Sequence, residues 1–358
     1  MIRVLVVDDS PVARKFLIQA LTVDGIEVVG QAGDPYAARD LIVELKPDVV
    51  VLDVMMPKMD GITFLRRLMH YFPVPAVICS SFTRDGGDLA LSAYEAGAVE
   101  VIGKPDASYP LPQMSRDLAT AVRAAAVAQR RSDTREKRTV QLTQRGEVRL
   151  VAIGASTGGT VAIEAVLREL PPEMPPIAIV QHMPPYITQA FAARLKTICR
   201  VDVREARDGD VFEDGLALVA PGGSHLVVER GGTGFVARVS GGPRVNGHRP
   251  AVDVLFRAVA EEVRERAVGV LLTGMGRDGA EGMLAMHDAG ARTLAQDETT
   301  SVVFGMPKAA IDLEAADQVV PLPEMSEQIA RACSRGPKSR ATRGRPSAPS
   351  RSSRAPAR

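Results

Sequence analysis

The stretch RVLVVDDSPVARKFLIQAL, residues 3–21, joins a continuous run of branched apolar residues to an amphipathic segment. Val and Leu without a polar face indicate a strand covered on both sides, and the segment that follows has helical spacing. The alternation recurs five times up to residue 105, where the last run is VEVIGKP. Residues 3–105 therefore predict an α/β domain with a doubly wound parallel sheet.

Polar residues close the strand-like runs of this domain. Asp8 and Asp9 follow the first run, Asp53 the third, Ser80 ends the fourth and Lys104 follows the fifth. Ligands of such sheets bind beyond the carboxyl ends of the strands, so we expect these side chains to meet. Three carboxylates repel one another unless they share a cation, and Mg²⁺ prefers oxygen ligands. With the hydroxyl and the ammonium, the set suits phosphoryl transfer to a carboxylate. The alternative is that the aspartates only cap helices, as Asp9 could before SPVAR.

A second alternating region begins at Leu150, with LVAIGAS, TVAIEAVLREL and IAIVQHM as its first runs. It predicts a second, Rossmann-like α/β domain with a doubly wound parallel sheet. Between the two regions, an Ala-rich helical stretch runs into the charged segment RRSDTREKR. We therefore divide the chain into a first domain (1–120), a linker (121–148), a second domain (149–333) and a basic tail (334–358).

The composition is that of a globular protein. Hydrophobic residues make up 46% and charged residues 24% of the chain, which excludes a wholly disordered or fibrous protein. No apolar stretch reaches the roughly 18 residues of a membrane-spanning helix, and the N-terminus turns acidic before a secretory segment could form. The three cysteines lack CxxC spacing, which favours reduced thiols. We expect a cytoplasmic protein without membrane insertion.

The tail carries eight basic residues and no acidic one, so the rest of the chain is acidic. It lacks the large apolar side chains whose burial would offset the entropy of ordering it, and we expect it to be disordered. A basic tail can bind nucleic acid or an anionic membrane surface. Because no aromatic residue is present to stack on bases, we expect a solubilising extension and no nucleic-acid partner.

The segment Gly154-Ala155-Ser156-Thr157-Gly158 lies between a predicted strand and a predicted helix. This G-x-S-x-G pattern is typical of a turn that exposes a nucleophilic serine beside helix N-terminal amides. A dinucleotide-binding loop is a weaker alternative, because the pattern is not G-x-G-x-x-G and no acid ends the next strand. A purely structural Gly-rich turn is the other alternative.

Two further residues could complete a catalytic triad with Ser156. His182 closes the next strand-like run, so adjacent parallel strands would bring it to the serine as a base. Asp278 follows the run VGVLLTGMG and could orient the imidazole. The alternative for Asp278 is a helix cap before GAEGML. His225 and His248 lie in Gly-rich loops and do not share this position at a strand end.

Both halves of the chain resemble known families. The first resembles the receiver domain of two-component response regulators, which has a flavodoxin-like fold, through VLVVDDSPVAR, VVVLDVMMPKMDGI, AVICSS and VEVIGKP. The second resembles the catalytic domain of the chemotaxis protein-glutamate methylesterases. The matching runs are IGASTGG, VQHMP, APGGSH, PRVNGHRPAVDVLF, GVLLTGMGRDGAEGM, AQDETTSVVFGMPKAAI and VVPL.

These resemblances imply a role for each candidate residue. In the first domain, Asp53 would be the phosphoacceptor and Ser80 and Lys104 the switch residues, while Mg²⁺ would be held by Asp8, Asp9, Asp53 and the Met55 carbonyl. In the second domain, Ser156 would be the nucleophile, His182 the base and Asp278 its orienting carboxylate. The backbone amide of Met275 would contribute to the oxyanion hole.

The implied function is that of a serine hydrolase controlled by phosphorylation. It would hydrolyse glutamate methyl esters and deamidate some glutamines on chemoreceptors, without a cofactor in the ester chemistry. A chemotaxis histidine kinase would be the phosphodonor. The alternative is a non-enzymatic response regulator whose second half binds DNA or a protein, and we find no convincing helix-turn-helix that would support it.

Overall fold

The computed structural model describes residues 1–80, 89, 92–94, 96–105, 111–132, 140, 146–183, 185–232 and 234–334. Two parallel sheets organise this part of the chain, one of five strands and one of seven. Each sheet lies between helices, as its uninterrupted apolar strands require. The predicted α/β class with two doubly wound sheets is therefore confirmed.

The first sheet has the strand order β2-β1-β3-β4-β5. Its helices α1 and α2 begin with Pro after the capping residues Ser10 and Asp34, whose side chains accept backbone N–H groups of the first turn, and Asp60 caps α3 in the same way. The strands are β1 (Ile2–Val7), β2 (Ile26–Ala32), β3 (Val49–Leu52), β4 (Ala76–Ser80) and β5 (Glu100–Gly103). The helices whose bounds fall within the described residues are α1 (Pro11–Ala20), α2 (Pro35–Leu45), α3 (Gly61–Tyr71) and α4 (Leu111–Ser132).

The second sheet has the order β14-β13-β12-β6-β7-β9-β8, and β10 and β11 form a separate antiparallel hairpin. The strands are β6 (Leu150–Ala155), β7 (Ile177–Gln181), β8 (Asp202–Glu205), β9 (Leu216–Val219), β10 (His225–Gly231), β11 (Gly234–Ser240), β12 (Ala267–Leu271), β13 (Arg292–Gln296) and β14 (Gln318–Val320). The helices are α5 (Gly159–Glu169), α6 (Pro185–Ile198), α7 (Val252–Glu262), α8 (Ala280–Asp288), α9 (Met306–Asp312) and α10 (Leu322–Ser334).

The predicted boundary between the first domain and the linker is wrong. Helix α4 runs through residue 120 to Ser132. Ala121, Val122 and Ala125 are buried in the apolar cluster that also contains Val4 and Val51 of the first sheet. Residues up to about 126 therefore belong to the first domain, because their apolar face covers that sheet. Most of the remaining predicted linker and the basic tail after Ser334 lie outside the described residues.

Apolar side chains fill both faces of each sheet.

The three cysteines are all free. Burial raises the pKa of each thiol to about 12, so the thiolate form is disfavoured. No helix in the described ranges combines the length and the apolar character needed to cross a bilayer.

Candidate functional site

Three adjacent strands of the second sheet bring Ser156, His182 and Asp278 together. Ser156 follows β6, the central strand, whereas His182 follows β7 on one side and Asp278 lies in the loop after β12 on the other. Ala155 pairs with Gln181, and the His182 N–H donates to the Ala155 carbonyl at 3.2 Å. Since neighbouring strands lie about 4.8 Å apart, this register sets His182 beside Ser156.

The turn that carries Ser156 depends on close backbone packing. Gly158 adopts a left-handed conformation with φ of 76° and precedes α5, a backbone that favours glycine. The Gln181 amide donates to the Ser156 carbonyl at 2.8 Å and fixes the main chain at the serine. Ser156 itself is 9% exposed. The predicted position of the serine between a strand and a helix is confirmed.

His182 and Asp278 form a hydrogen-bonded pair. His182 Nε2 lies 2.8 Å from Asp278 Oδ2, and both side chains are almost fully buried. His182 Nδ1 is also buried and has no hydrogen-bond partner among the described residues. With Nε2 held by the carboxylate, Nδ1 is the nitrogen that is available to take a proton from the serine.

Backbone N–H groups at the start of helix α7 hold the Asp278 carboxylate. Its oxygens accept the backbone N–H groups of Val252 at 2.7 Å and of Asp253 at 3.2 Å, in the first turn of α7. Burial acts to raise the pKa of Asp278, but the His182 hydrogen bond, the charge on that ring and the other donors outweigh burial and lower it to about 2. The carboxylate is therefore ionised at neutral pH.

Asp278 does not cap α8, as the alternative interpretation expected, but binds the start of α7 instead. The residue at the N-cap of α8 is Gly279, and no side chain caps that helix there. Asp278 instead satisfies N–H groups at the start of α7, where the helix dipole favours a negative charge. The same contacts hold the carboxylate against His182.

The loop after β12 packs tightly on Ser156. The Ser156 N–H donates to the Thr273 carbonyl at 3.0 Å, and a Cβ at Gly274 would lie 2.8 Å from the Ser156 Cβ. Met275, the next residue, is 55% exposed, and its backbone N–H donates no hydrogen bond to any described residue. This amide is therefore available to an oxyanion near the serine, as an oxyanion-hole donor must be.

Two residues at this site were not predicted from the sequence, which set His248 aside and gave Asn246 no role. The His248 ring stacks on His182, with ring centroids 3.8 Å apart and planes 7° from parallel. The Asn246 amide donates to Asp278 Oδ1 at 3.0 Å and to Asp253 Oδ2 at 2.7 Å. The available signal was the Asn-Gly pair at residues 246–247, which favours a tight hairpin turn.

The first sheet gathers the other predicted set. Carboxylate oxygens of Asp8, Asp9 and Asp53 lie within 4.8 Å of one another. The Lys104 ammonium lies 2.7 Å from both Asp8 Oδ2 and Asp53 Oδ2. Asp9 does not cap α1, because the Ser10 side chain occupies that role. The cap alternative is therefore wrong for Asp9.

The electrostatics of this cluster fit a divalent cation. Burial raises the pKa of Asp8, although the Lys104 ammonium opposes the shift. The hydrogen bonds to the two aspartates raise the pKa of Lys104, in spite of its burial. Three carboxylates against one ammonium leave an excess of negative charge on hard oxygen donors, which is the donor set that Mg²⁺ requires.

Ser80 and Met55 border the same cluster. Ser80 is fully buried at the end of β4, and its hydroxyl has no hydrogen-bond partner among the described residues. The Met55 side chain is exposed, and its backbone N–H lies 3.3 Å from Asp53 Oδ1. Met55 thus contacts Asp53 through its N–H, and Ser80 ends the strand next to β3, which Asp53 follows. The predicted roles of the Ser80 hydroxyl and the Met55 carbonyl stay predictions.

The two domains contact each other beside the Ser156 site. The Thr160 hydroxyl, in the first turn of α5, donates to Glu100 Oε2 at 2.9 Å, and Tyr94 donates to Glu100 Oε1 at 2.9 Å. Arg194 of α6 donates to the Tyr94 carbonyl. Ile187 of α6 is buried in the apolar cluster of the first domain. The first domain thus packs on the helices that follow Ser156 and His182.

Comparison with known proteins decides the family. The CheB methylesterase model matches residues 151–329, half of the chain, and the response regulator receiver domain model matches residues 4–114. The chain belongs to the CheB methylesterase family. The predicted family, enzyme class and order of domains are confirmed, and the two units are called the receiver domain and the methylesterase domain below.

Relatives match along nearly their whole length. Protein-glutamate methylesterase/protein-glutamine glutaminase 4 of Anaeromyxobacter dehalogenans is 51% identical, with 92% of this chain and 94% of that protein covered. A protein of the same name, numbered 2, from Syntrophus aciditrophicus is 46% identical, with 92% and 98% covered. The crystal structure of the Thermotoga maritima CheB methylesterase catalytic domain is 36% identical, with a TM-score of 0.51, and covers 51% of this chain and 98% of that one.

Proposed function

We propose that this protein hydrolyses glutamate methyl esters on chemoreceptors, and deamidates some receptor glutamines, at Ser156. The observation that carries the proposal is the pairing of a buried His182 with an ionised Asp278, beside a serine at a strand-to-helix turn. Such a pair fixes one imidazole tautomer and stabilises the imidazolium that forms. The names of the relatives supply the substrate class.

The proposed reaction follows from the positions of the groups. His182 Nδ1 takes the Ser156 proton while the hydroxyl oxygen attacks the γ-carbonyl of the methylated glutamate. The Met275 N–H donates to the tetrahedral oxyanion, and removal of one such donor typically costs about 10²–10³ in rate. Imidazolium then returns the proton to the departing methoxide, methanol leaves, and water hydrolyses the acyl-enzyme. The ester chemistry uses no cofactor.

We propose further that phosphorylation of Asp53 by a chemotaxis histidine kinase controls this reaction. Mg²⁺ held by Asp8, Asp9, Asp53 and the Met55 carbonyl would neutralise charge on the phosphoryl oxygens. Lys104 would bind the same oxygens, and the Ser80 hydroxyl, with no partner among the described residues, would donate to one of them. A phosphoryl group adds about −1.5 to −2 of charge, which would draw the Lys104 ammonium onto its oxygens.

The contact between the domains supports this form of control. Glu100 and Tyr94 lie on the receiver domain, and they bind the first turn of α5 and the middle of α6. We propose that a receiver domain in this place restricts access to Ser156 and that phosphorylation of Asp53 weakens the contact. We place the protein in the cytoplasm, because its three free thiols fit a reducing compartment.

Methanol release from methylated receptors tests the proposed function. The S156A chain is expected to remain folded and to lose methanol release almost completely, because the nucleophile is gone. Thermal unfolding of both chains provides the control for folding. A folded S156A chain with undiminished turnover would contradict the proposal.

A further inference from the structure

A tight turn at Val245–His248 lies against the catalytic pair. The Val245 N–H donates to the His248 carbonyl at 3.0 Å, and the His248 N–H donates back to the Val245 carbonyl at 2.9 Å. Asn246 and Gly247 between them have φ values of 53° and 82°. Two left-handed residues closing such a ladder form a two-residue hairpin turn, for which Asn-Gly is the preferred sequence.

Side chains that hydrogen-bond main-chain carbonyls hold the segments on both sides of this turn in place. The Arg249 guanidinium donates to the carbonyls of Gly241 and Gly242 at 2.9 and 2.8 Å. The buried His225 ring hydrogen-bonds the Pro243 carbonyl at 2.8 Å. The segment on either side of the turn is therefore tied to β10 and to itself, which limits the positions open to Asn246 and His248.

Asn246 joins two carboxylates that would otherwise repel each other. One amide nitrogen donates to both Asp278 and Asp253, which uses both of its hydrogens. Asp253 in turn accepts the Gly282 N–H of α8 at 2.7 Å, while Asp278 accepts N–H groups of α7. Asp253 of α7 thus binds the first turn of α8, Asp278 in the loop before α8 binds the first turn of α7, and Asn246 bridges the two carboxylates.

His248 covers one face of the catalytic imidazole. The rings are parallel and in contact. Burial, followed by the proximity of His182, lowers the pKa of His248 to about 4, so this ring is neutral when the enzyme works near neutral pH. A neutral ring can stack on His182 in both of its protonation states, whereas a second charged ring would repel the imidazolium.

We propose that the turn Val245–His248 is a positioning element for the catalytic pair, in which Asn246 holds the Asp278 carboxylate and His248 holds the His182 ring. The inference rests on the proposed function, because it assigns these two residues to the same ester hydrolysis. Neither residue is assigned a contact with substrate. Their effect is expected on the rate of the chemical step rather than on substrate binding.

The test uses the full chain with methylated receptors and four variants. N246D keeps the shape of the side chain but removes the N–H donors, and H248A removes the stacked ring. H248F keeps a flat ring without titratable nitrogens. His70, an exposed histidine on α3, provides the matched control H70A.

We expect N246D and H248A to lower kcat by up to about 100-fold, because small misplacement of a base has effects of this size. KM should stay within about twofold of the wild-type value, and H248F and H70A should retain most of the wild-type kcat. The proton in the His182–Asp278 hydrogen bond should give a downfield NMR resonance in the wild type that is weakened in N246D. If Asn246 had only a structural role, this resonance would keep its wild-type intensity in an N246D chain with unchanged thermal unfolding.

Several results would overturn the inference. Folded N246D and H248A chains with wild-type kcat would remove the positioning role, and a rise in KM at unchanged kcat would show a substrate contact instead. An H248F chain as slow as H248A would remove the role of the stacked ring. If these variants behave as wild type while S156A is inactive, only this inference fails. An S156A chain that still releases methanol would overturn the proposed function and this inference with it.

Discussion

At the scale of single residues, the site depends on a carboxylate that stays charged while buried. Asp278 is 1% exposed, yet the His182 hydrogen bond and the backbone N–H groups of α7 keep its pKa near 2. A carboxyl group whose pKa is lower in the folded chain stabilises that chain above its unfolded pKa of about 4. The contribution is lost as the pH falls from there through about 2.

The D278N substitution tests this charge. The wild-type chain should be more stable than D278N, and the difference in free energy of unfolding should shrink by about 1 kcal/mol between about pH 6 and pH 3. Urea unfolding of both chains at each pH measures it. At neutral pH, kcat of D278N should fall by about 10⁴-fold, because the amide favours the wrong imidazole tautomer. A pH-independent difference in stability would show that Asp278 is not ionised in the folded chain.

Residue type and position at the strand ends predicted the triad but not its surroundings. Ser156, His182 and Asp278 could be found because each follows a strand-like run, and the carboxyl ends of parallel strands share one edge. Asn246 and His248 could not, because their contacts depend on how a hairpin turn folds back over the sheet. The capping of α7 by Asp278 was missed for the same reason, since it joins residues 26 positions apart.

At the scale of elements, β5 of the receiver domain is joined to α5 of the methylesterase domain through Glu100 and Thr160. Burial raises the pKa of Glu100, while hydrogen bonds from Tyr94 and Thr160 act against the shift. Glu100 accepts a hydrogen bond at each carboxyl oxygen, and the one from Thr160 joins the two domains. Thr160, which Glu100 contacts, lies in the first turn of α5, shortly after Ser156. This contact is therefore well placed to transmit a change in the receiver domain to the catalytic serine.

Substitution of Glu100 should separate this contact from catalysis. We expect E100A to raise methanol release in the absence of phosphodonor by at least about 5-fold, because the inhibited arrangement loses a link. E100Q is the matched control, since its amide still accepts and donates hydrogen bonds, and it should stay close to the wild-type rate. Equal resting rates in E100A, E100Q and wild type would show that this contact has no role in control.

The elements themselves were predicted better than their limits. Apolar runs such as VVVL marked the strands of both sheets, because parallel strands are buried on both faces. The Ala-rich stretch was predicted to be helical, but the domain boundary was placed at residue 120, inside the helix that runs to Ser132. The sequence there is rich in Ala, whose small apolar side chain is common both in helices that pack on a sheet and in helical linkers, so burial decides the boundary and sequence does not.

At the scale of the whole molecule, we propose that two sites in separate sheets act through one interface. The receiver site at Asp53 and the catalytic site at Ser156 both lie beyond the carboxyl ends of their strands. Coupling between them requires two arrangements of the domains whose balance the phosphoryl group shifts by a few kcal/mol. The central claim is that the rate at Ser156 is set by the state of Asp53.

Methanol release by the full chain, with and without a small-molecule phosphodonor and Mg²⁺, tests this claim most directly. The wild-type chain should release methanol slowly from methylated receptors alone and about 10-fold faster or more with the phosphodonor. The D53N chain should stay at the resting rate in both cases, because it has no carboxylate to phosphorylate. Equal acceleration of the wild type and D53N, or no acceleration of the wild type, would contradict the account.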